Sequence, residues 1–262
     1  MGREVLSGRP SAPDGSVEWR TKMKEDLAFV ILNATGNLNF SRQLEWRTLL
    51  KWLQPRAGEK VLDVACGSGT FAIRLAGAGC IVTGIDSSGA AVTRAKKLAT
   101  ALRAPCEFSV QDVEHVGLKD ARFDIVVCSS ALQLFKRDLD ALREMCRVLK
   151  PSGRLLLTCD SGSFPMERKW RQAHTRRGGI LTYYTPQSLR VKLESAGFEL
   201  ARSMYLVTSR TSDFFFRLGI RETWGGVFWS ATSAAAYPFC LVSDYLVGRE
   251  NRGHSLLVEA IK

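Results

Sequence analysis

Apolar and polar positions along the 262-residue chain follow two rhythms. From Arg20 to Leu53 the pattern is helical. Trp46, Leu49, Leu50 and Leu53 fall at i, i+3, i+4 and i+7, with Ser41 as the expected N-cap and Pro55 as the stop. From Lys60 onward, short β-rich runs alternate with helical stretches. KVLDVAC (60–66), CIVTGID (80–86), CEFSVQD (106–112), FDIVVCSS (123–130) and RLLLTCD (154–160) read as strands. A Gly-rich turn opens a helix within 67–79, and serines cap a second over 87–102. A third carries Leu139, Leu142, Cys146 and Leu149 on one face, with Asp138 as its expected N-cap and KPSG (150–153) as the turn after it. Strands this uniformly apolar, separated by helices, predict an α/β fold with a parallel sheet covered on both faces.

After Asp160 the alternation breaks. Residues 161–182 form a basic insertion, and TPQSLRVKLESAG reads as a helix with Thr185 at the N-cap, Pro186 at N1 and Gly197 past its end. FELARSMYLV (198–207) and HSLLVEAI (254–261) read as two further strands. The segment 208–252 between them is rich in aromatic residues, among them Phe214, Phe215, Phe216 and Tyr245, and too long for a hairpin loop. It is expected to be an inserted helical cap. The chain thus divides into a loose Gly/Ser/Pro-rich start (1–19), an N-terminal helical segment (20–57) and a main domain (58–262).

Composition narrows this modestly. An apolar share of 45% with 24% charged residues is ordinary for a globular protein. Seven cysteines, an odd number with no C-x-x-C pair, argue against a disulfide framework or a zinc site, and no metal is expected. The N-terminal residues lack the apolar core of a secretion signal, and no run of about 18 apolar residues occurs. A cytoplasmic chain is expected, with association at the cytoplasmic face of a membrane left open. The net charge is +11, and between Ser161 and Glu222 eleven Lys/Arg face five Asp/Glu. Such an excess suits RNA, an anionic membrane surface or a phosphorylated substrate, or is simply a solvated surface.

The chemistry concentrates in VLDVACGSGTF. Asp63 lies at the end of the first strand, Gly67 and Gly69 make the turn, and a helix starts at once. Glycine there allows a sharp turn and the close approach of a ligand. Asp86 closes the second strand, where a carboxylate can grip two ribose hydroxyls, and Asp112 closes the third, where it can accept from an adenine amine. Gly67 to Ala72 also fits the G-x-G-x-x-A pattern of dinucleotide sites. Charge separates the two readings. A pyrophosphate at this turn would be repelled by Asp63, whereas a ligand carrying an ammonium and a sulfonium would be attracted.

The segment from Gly58 to Asp160 resembles the class I methyltransferases of the ubiquinone/menaquinone-methyltransferase type (methyltransferase type 11). The resemblance rests on VLDVACGSGTFAIRLA, GIDSS, QDVE, FDIVVCSSALQLF and REMCRVLKPSGRLLL. It implies a Rossmann-like, doubly wound, seven-stranded sheet in order 3-2-1-4-5-7-6 with the last strand antiparallel, and S-adenosylmethionine as cofactor. By residue match, Asp63, Ala65, Gly67 and Gly69 would hold the methionine part, Asp86 and Ser87 the ribose, and Asp112 and Val113 the adenine, with Ser129 lining the methionine end. Arg42 or Arg47 would pair with the donor carboxylate, unless each is a surface charge. Ala65 stands where the family mostly has glycine, which is tolerable if the backbone there is extended. Leu132, Gln133 and Leu134 replace the family's L-H-H, so a histidine base is absent there.

The catalytic group is left unknown, with His174, Tyr183 and Tyr184 as candidates. In-line methyl transfer can proceed by positioning alone. The cap could roof an apolar acceptor pocket, meet a membrane interface, complete the core or bury itself in a homodimer. A small apolar or lipid-linked acceptor is therefore the first functional expectation. The alternatives are an RNA or protein methylase, a dinucleotide-dependent oxidoreductase and a non-catalytic interaction module. Nucleic acid is disfavoured because no RNA-binding appendage is recognisable.

Overall fold

The computed structural model describes residues 40–221 and 226–262. The loose start (1–19) and the first part of the expected N-terminal helical segment (20–39) lie outside the described residues.

The strand runs are apolar because both faces are covered. Helix α1 (Phe40–Leu53) precedes strand β1 (Lys60–Val64), α2 (Thr70–Gly77), β2 (Ile81–Asp86), α3 (Gly89–Ala101), β3 (Cys106–Val110) and β4 (Phe123–Ser129). Helix α4 (Asp138–Val148), β5 (Leu149–Asp160), α5 (Arg168–Gly178), α6 (Pro186–Ser195) and β6 (Glu199–Leu206) follow. The cap helices α7 (Arg210–Arg221) and α8 (Gly226–Val247) then lead into β7 (Ser255–Ile261). One sheet results, in order β3-β2-β1-β4-β5-β7-β6. Strands β1 to β5 pair in parallel, and β7 runs antiparallel to both β5 and β6. This is the topology that the family resemblance implies.

Alternate residues of β1 feed opposite cores. Leu62 and Val64 join Val126, Leu142, Tyr184 and Leu193 on one side, while Val61 joins Leu49, Leu75 and Val92 on the other. Leu62 is fully buried, a burial that contributes about 1.5–3 kcal/mol. Helix α6 forms as its sequence dictates: Thr185 accepts from the Ser188 N–H at 3.1 Å, Pro186 occupies the first turn, and Gly197 follows at φ +93°.

Three local expectations are corrected. Ser41 sits inside α1, so it is not the N-cap. Strand β5 starts at Leu149 and takes in the Lys150–Gly153 segment that reads as a turn. Asp138 is the first residue of α4 and makes no cap bond. Its carboxylate instead accepts from the Tyr184 hydroxyl at 2.6 Å and from Lys192 Nζ at 2.7 Å. A buried phenol with an ammonium nearby captures this carboxylate more strongly than free backbone N–H groups do.

The basic insertion contains a helix, α5, and the aromatic insertion is indeed a helical pair. The cap joins the first helix: Phe40 N donates to the buried Ser233 Oγ at 2.6 Å, and Phe40 meets Phe215 edge-on with ring centroids 6.4 Å apart.

Candidate functional site

The carboxyl ends of β1, β2, β4 and β5 form one rim, the edge at which open parallel sheets take ligands. Asp63, one residue from the end of β1, is 2% exposed, and its Oδ2 has no hydrogen-bond partner. Burial pushes its carboxyl up to about 7, with Asp86 adding to the rise while a backbone hydrogen bond from Ala72 and the charge of Arg42 oppose it. Asp86, at the end of β2, accepts from the Gly67 N–H at 2.9 Å and the Ser88 N–H at 2.8 Å. It therefore shapes the glycine loop as well as facing the rim. Ser87 is exposed beside it.

The glycines have different reasons. Gly69 caps α2 at φ +74°, and a Cβ there would come within 2.7 Å of the Phe108 ring and 2.9 Å of the Ala95 methyl. Gly67, at φ +55°, has nothing within 4 Å of where a Cβ would sit, so open space lies above it. Ala65 does not meet the condition under which its methyl group would be tolerable. Its φ is +55°, left-handed rather than extended, a conformation that costs an L-residue with a Cβ on the order of 1–2 kcal/mol. Ala65→Gly is therefore expected to stabilise the fold by about 0.5–1 kcal/mol after the extra freedom of the unfolded chain is set against the relief. Urea unfolding monitored by circular dichroism measures this, and an unchanged or lower midpoint would remove the claim of strain.

Asp112 lies two residues beyond β3. It is exposed and accepts from the Glu114 N–H at 2.9 Å. Val113 is buried against the core. The Ser129 hydroxyl, ending β4, is buried without a partner. Arg42 of α1 acts electrostatically on Asp63, Glu45 and Asp160 and so belongs to the rim, whereas Arg47 is exposed.

A second cluster faces this one across β4 and β5. Asp160 ends β5 and is held by the Gln133 side chain; burial, then the neighbouring Glu45, pushes its carboxyl up to about 7. Glu45 is 5% exposed, accepts from the Ser130 hydroxyl at 2.7 Å and is likewise raised by burial. His174 Nε2 lies 4.0 Å from Asp160, and its Nδ1 lies 3.2 Å from the Tyr183 hydroxyl. Burial, aided by His254 and Arg171, lowers His174 to about 4, so its ring is neutral at ordinary pH. Tyr184 is a different case from Tyr183. It is fully buried with its hydroxyl on Asp138, a core residue without access to a ligand, and it leaves the catalytic candidates.

Glu45, Gln133 and Asp160 are absent from the site as read along the chain. Asp160 carries the same signal as Asp63 and Asp86, an acid at the end of a strand. Glu45 sits between the apolar Leu44 and Trp46, four residues before Leu49, where a charge on a buried face is anomalous. Among the described residues no group of three or more His, Cys, Asp or Glu is arranged to hold a metal ion.

Known proteins share these features in part. The chain is 32% identical over 107 residues to a ubiquinone biosynthesis O-methyltransferase of Coxiella burnetii, covering 41% of this chain and 46% of that protein. It is 34% identical over 117 residues to the ubiquinone/menaquinone biosynthesis C-methyltransferase UbiE of Dinoroseobacter shibae, covering 43% and 47%. The aligned region thus spans about half the length of these curated relatives. In fold, the chain is similar to the [4+2]-cyclase SpnF, with TM-score 0.61 and 23% identity over 85% of this chain and 80% of that one. It is also similar to phosphoethanolamine N-methyltransferase 2 of Haemonchus contortus, solved with S-adenosyl-L-methionine, with TM-score 0.61 and 17% identity over 83% and 52%. Residues 55–186, half of the chain and the stretch that builds the rim, match the methyltransferase domain family, to which this protein belongs.

Proposed function

We propose that the protein moves a methyl group from S-adenosylmethionine to a small apolar or lipid-linked acceptor by in-line displacement. The observation that carries the reading is the orphaned Asp63 Oδ2, buried beside Asp86 at the mouth of the glycine loop. Two carboxylates that repel each other in a dry rim favour a cationic ligand. The open space above Gly67 and the unpartnered Ser129 hydroxyl give the methionine end room and a hydrogen bond. The rim therefore fits this cofactor, which when bound supplies an activated methyl on a sulfonium.

The chain's own residues would do the rest. Asp86 and Ser87 would hold the ribose, and Asp112 and Val113 the adenine edge. Asp63, Ala65, Gly67 and Gly69 would cradle the methionine part, with Arg42 facing its carboxylate. On the acceptor side, neutral His174, Tyr183 and Asp160 offer groups that hold or take a proton when the acceptor has one to lose. Helices α1, α7 and α8 would exclude water. Because a cyclase shares the fold, fold alone does not decide the activity. The test is calorimetry with S-adenosylmethionine and with NADH, then transfer of tritiated methyl into lipid, small-molecule and RNA fractions. Binding of NADH alone, or label in RNA alone, would overturn the reading.

Helix α8 supports the lipid-linked side of it. Phe239, Val242, Tyr245, Leu246 and Val247 are all more than half exposed, and the row ends at Arg249. Among the described residues no helix is long and apolar enough to cross a membrane, but an apolar row beside basic groups can lie in a bilayer interface. Vesicles rich in phosphatidylglycerol are expected to float the protein, and Phe239→Asp/Leu246→Asp to leave it in solution. Equal behaviour of the two proteins would end the membrane proposal.

A further inference from the structure

The segment that carries Asp112, between β3 and β4, has no regular structure, yet helix α4 and the residue before it grip it at two points. At the far point the Val116 N–H donates to Glu144 Oε2 at 3.0 Å, and Arg147 donates to the Val116 and Leu118 carbonyls, each at 2.8 Å. Arg147 also pairs with Glu144 at 2.7 Å, so residues 116–118 are fixed by two groups of one helix.

The near point is held by Arg137, the residue just before α4. Its N–H donates to Glu114 Oε1 at 2.9 Å and its Nε to Glu114 Oε2 at 2.7 Å, so both carboxylate oxygens are engaged. Its Nη2 lies 3.3 Å from His115 Nδ1, and its Nη1 lies 3.8 Å from Asp140. Glu114 in turn donates its own N–H to Asp112 Oδ1 at 2.9 Å. Asp112 is exposed, and its Oδ2 has no hydrogen-bond partner among the described residues. A lone carboxylate on an exposed turn would rotate among several rotamers. Here one oxygen is tied down, so whatever fixes Glu114 fixes the direction in which the other oxygen faces. Holding a ligand contact in place before the ligand arrives removes an ordering cost from binding.

We propose that Arg137 is a positioning residue for the donor: acting through Glu114, it aims Asp112 at the exocyclic amine of the adenine and so sets the preference for that base. This deepens the function proposed above and rests on it for Asp112 as the adenine contact.

The test uses the full chain, calorimetry and two ligands, S-adenosylhomocysteine and S-inosylhomocysteine, which differ by an amine or an oxygen on the base. The wild-type protein is expected to bind the adenosyl compound at least roughly tenfold tighter, as loss of one charge-assisted hydrogen bond implies. In Arg137→Ala this preference should fall severalfold while affinity for the inosyl compound stays the same. Glu114→Ala should show the same loss, and the double variant no more than either. Asp112→Ala should abolish the preference, and adding Arg137→Ala to it should change nothing further. The Arg137–Glu114 pair is partly exposed and such pairs add little stability, so the variants should fold, which circular dichroism checks. An unaltered preference in Arg137→Ala, or an equal loss of affinity for both compounds, overturns the proposal, since a pair that merely staples the turn would weaken both alike. Binding of both compounds without preference in the wild type also overturns it and leaves the donor site standing. Binding of neither would strike the function proposed above and this inference with it.

Discussion

Asp86→Ala is expected to weaken S-adenosylmethionine binding by roughly 100-fold or more, the loss of two charge-assisted hydrogen bonds at about 1.5–3 kcal/mol each. Two effects converge on this side chain. It would accept the ribose hydroxyls, and it already fixes the glycine loop through the Gly67 N–H at 2.9 Å and the first turn of α3 through the Ser88 N–H at 2.8 Å. The alanine variant loses both the ligand contact and the loop that shapes the cradle. Asp86→Asn separates them, because an amide oxygen can keep the loop bond while the charge is gone. Calorimetry should place Asn between wild type and Ala. An Ala variant with native affinity would remove the ribose assignment and, with it, the reading of the rim.

The second large effect is on pH. In the free protein burial lifts Asp63 to about 7. Below that pH the carboxyl is protonated and neutral, and above it the carboxylate is present for a cationic ligand. Bound donor charge favours the ionised form, so Asp63 titrates lower in the complex than in the free protein and binding releases a proton. Donor affinity should therefore rise with pH through 7 and level off above it. Below 7 it should fall by up to about tenfold per pH unit, the limit for one linked proton. Calorimetry in two buffers of different ionisation enthalpy counts the proton directly. Asp63→Asn should bind weakly with a much flatter pH profile. A wild-type affinity that is constant from pH 5.5 to 8 would show that Asp63 is not the titrating contact.

The proposed donor side can be read along the chain because it is local. Asp63, Gly67 and Gly69 fall within seven residues, Asp86 ends β2 and Asp112 follows β3 by two residues, so the rhythm of a parallel sheet carries them to a common edge. The proposed acceptor side is legible only in part. His174 and Tyr183 stand among the sequence candidates, whereas Glu45, Gln133 and Asp160 come from three other segments, and only packing brings them near His174. Tyr183 and Tyr184 are adjacent in sequence yet point to different fates, one toward His174 and one into the core, a distinction that no spacing rule supplies. Ala65 shows a further limit. An alanine there is tolerable if the backbone is extended, but the turn between β1 and α2 dictates a left-handed one, and the chain accepts the strain where the ligand would lie. Asp138 failed as a cap because its competitors, the Tyr184 phenol and the Lys192 ammonium, arrive from 46 and 54 residues away.

The bond from Phe40 to Ser233, spanning 193 positions, divides the molecule by origin. Everything proposed to grip the donor, Arg42 apart, is encoded between residues 63 and 129, whereas the roof is assembled from segments on either side of that block. Substitutions on α7 and α8 would therefore leave the proposed donor residues in place, whereas those on α1 would also reach Arg42. The same separation makes the roof the natural target for redesign: grafting a different cap between β6 and β7, with a first helix that keeps Arg42, should alter the acceptor before it alters the donor.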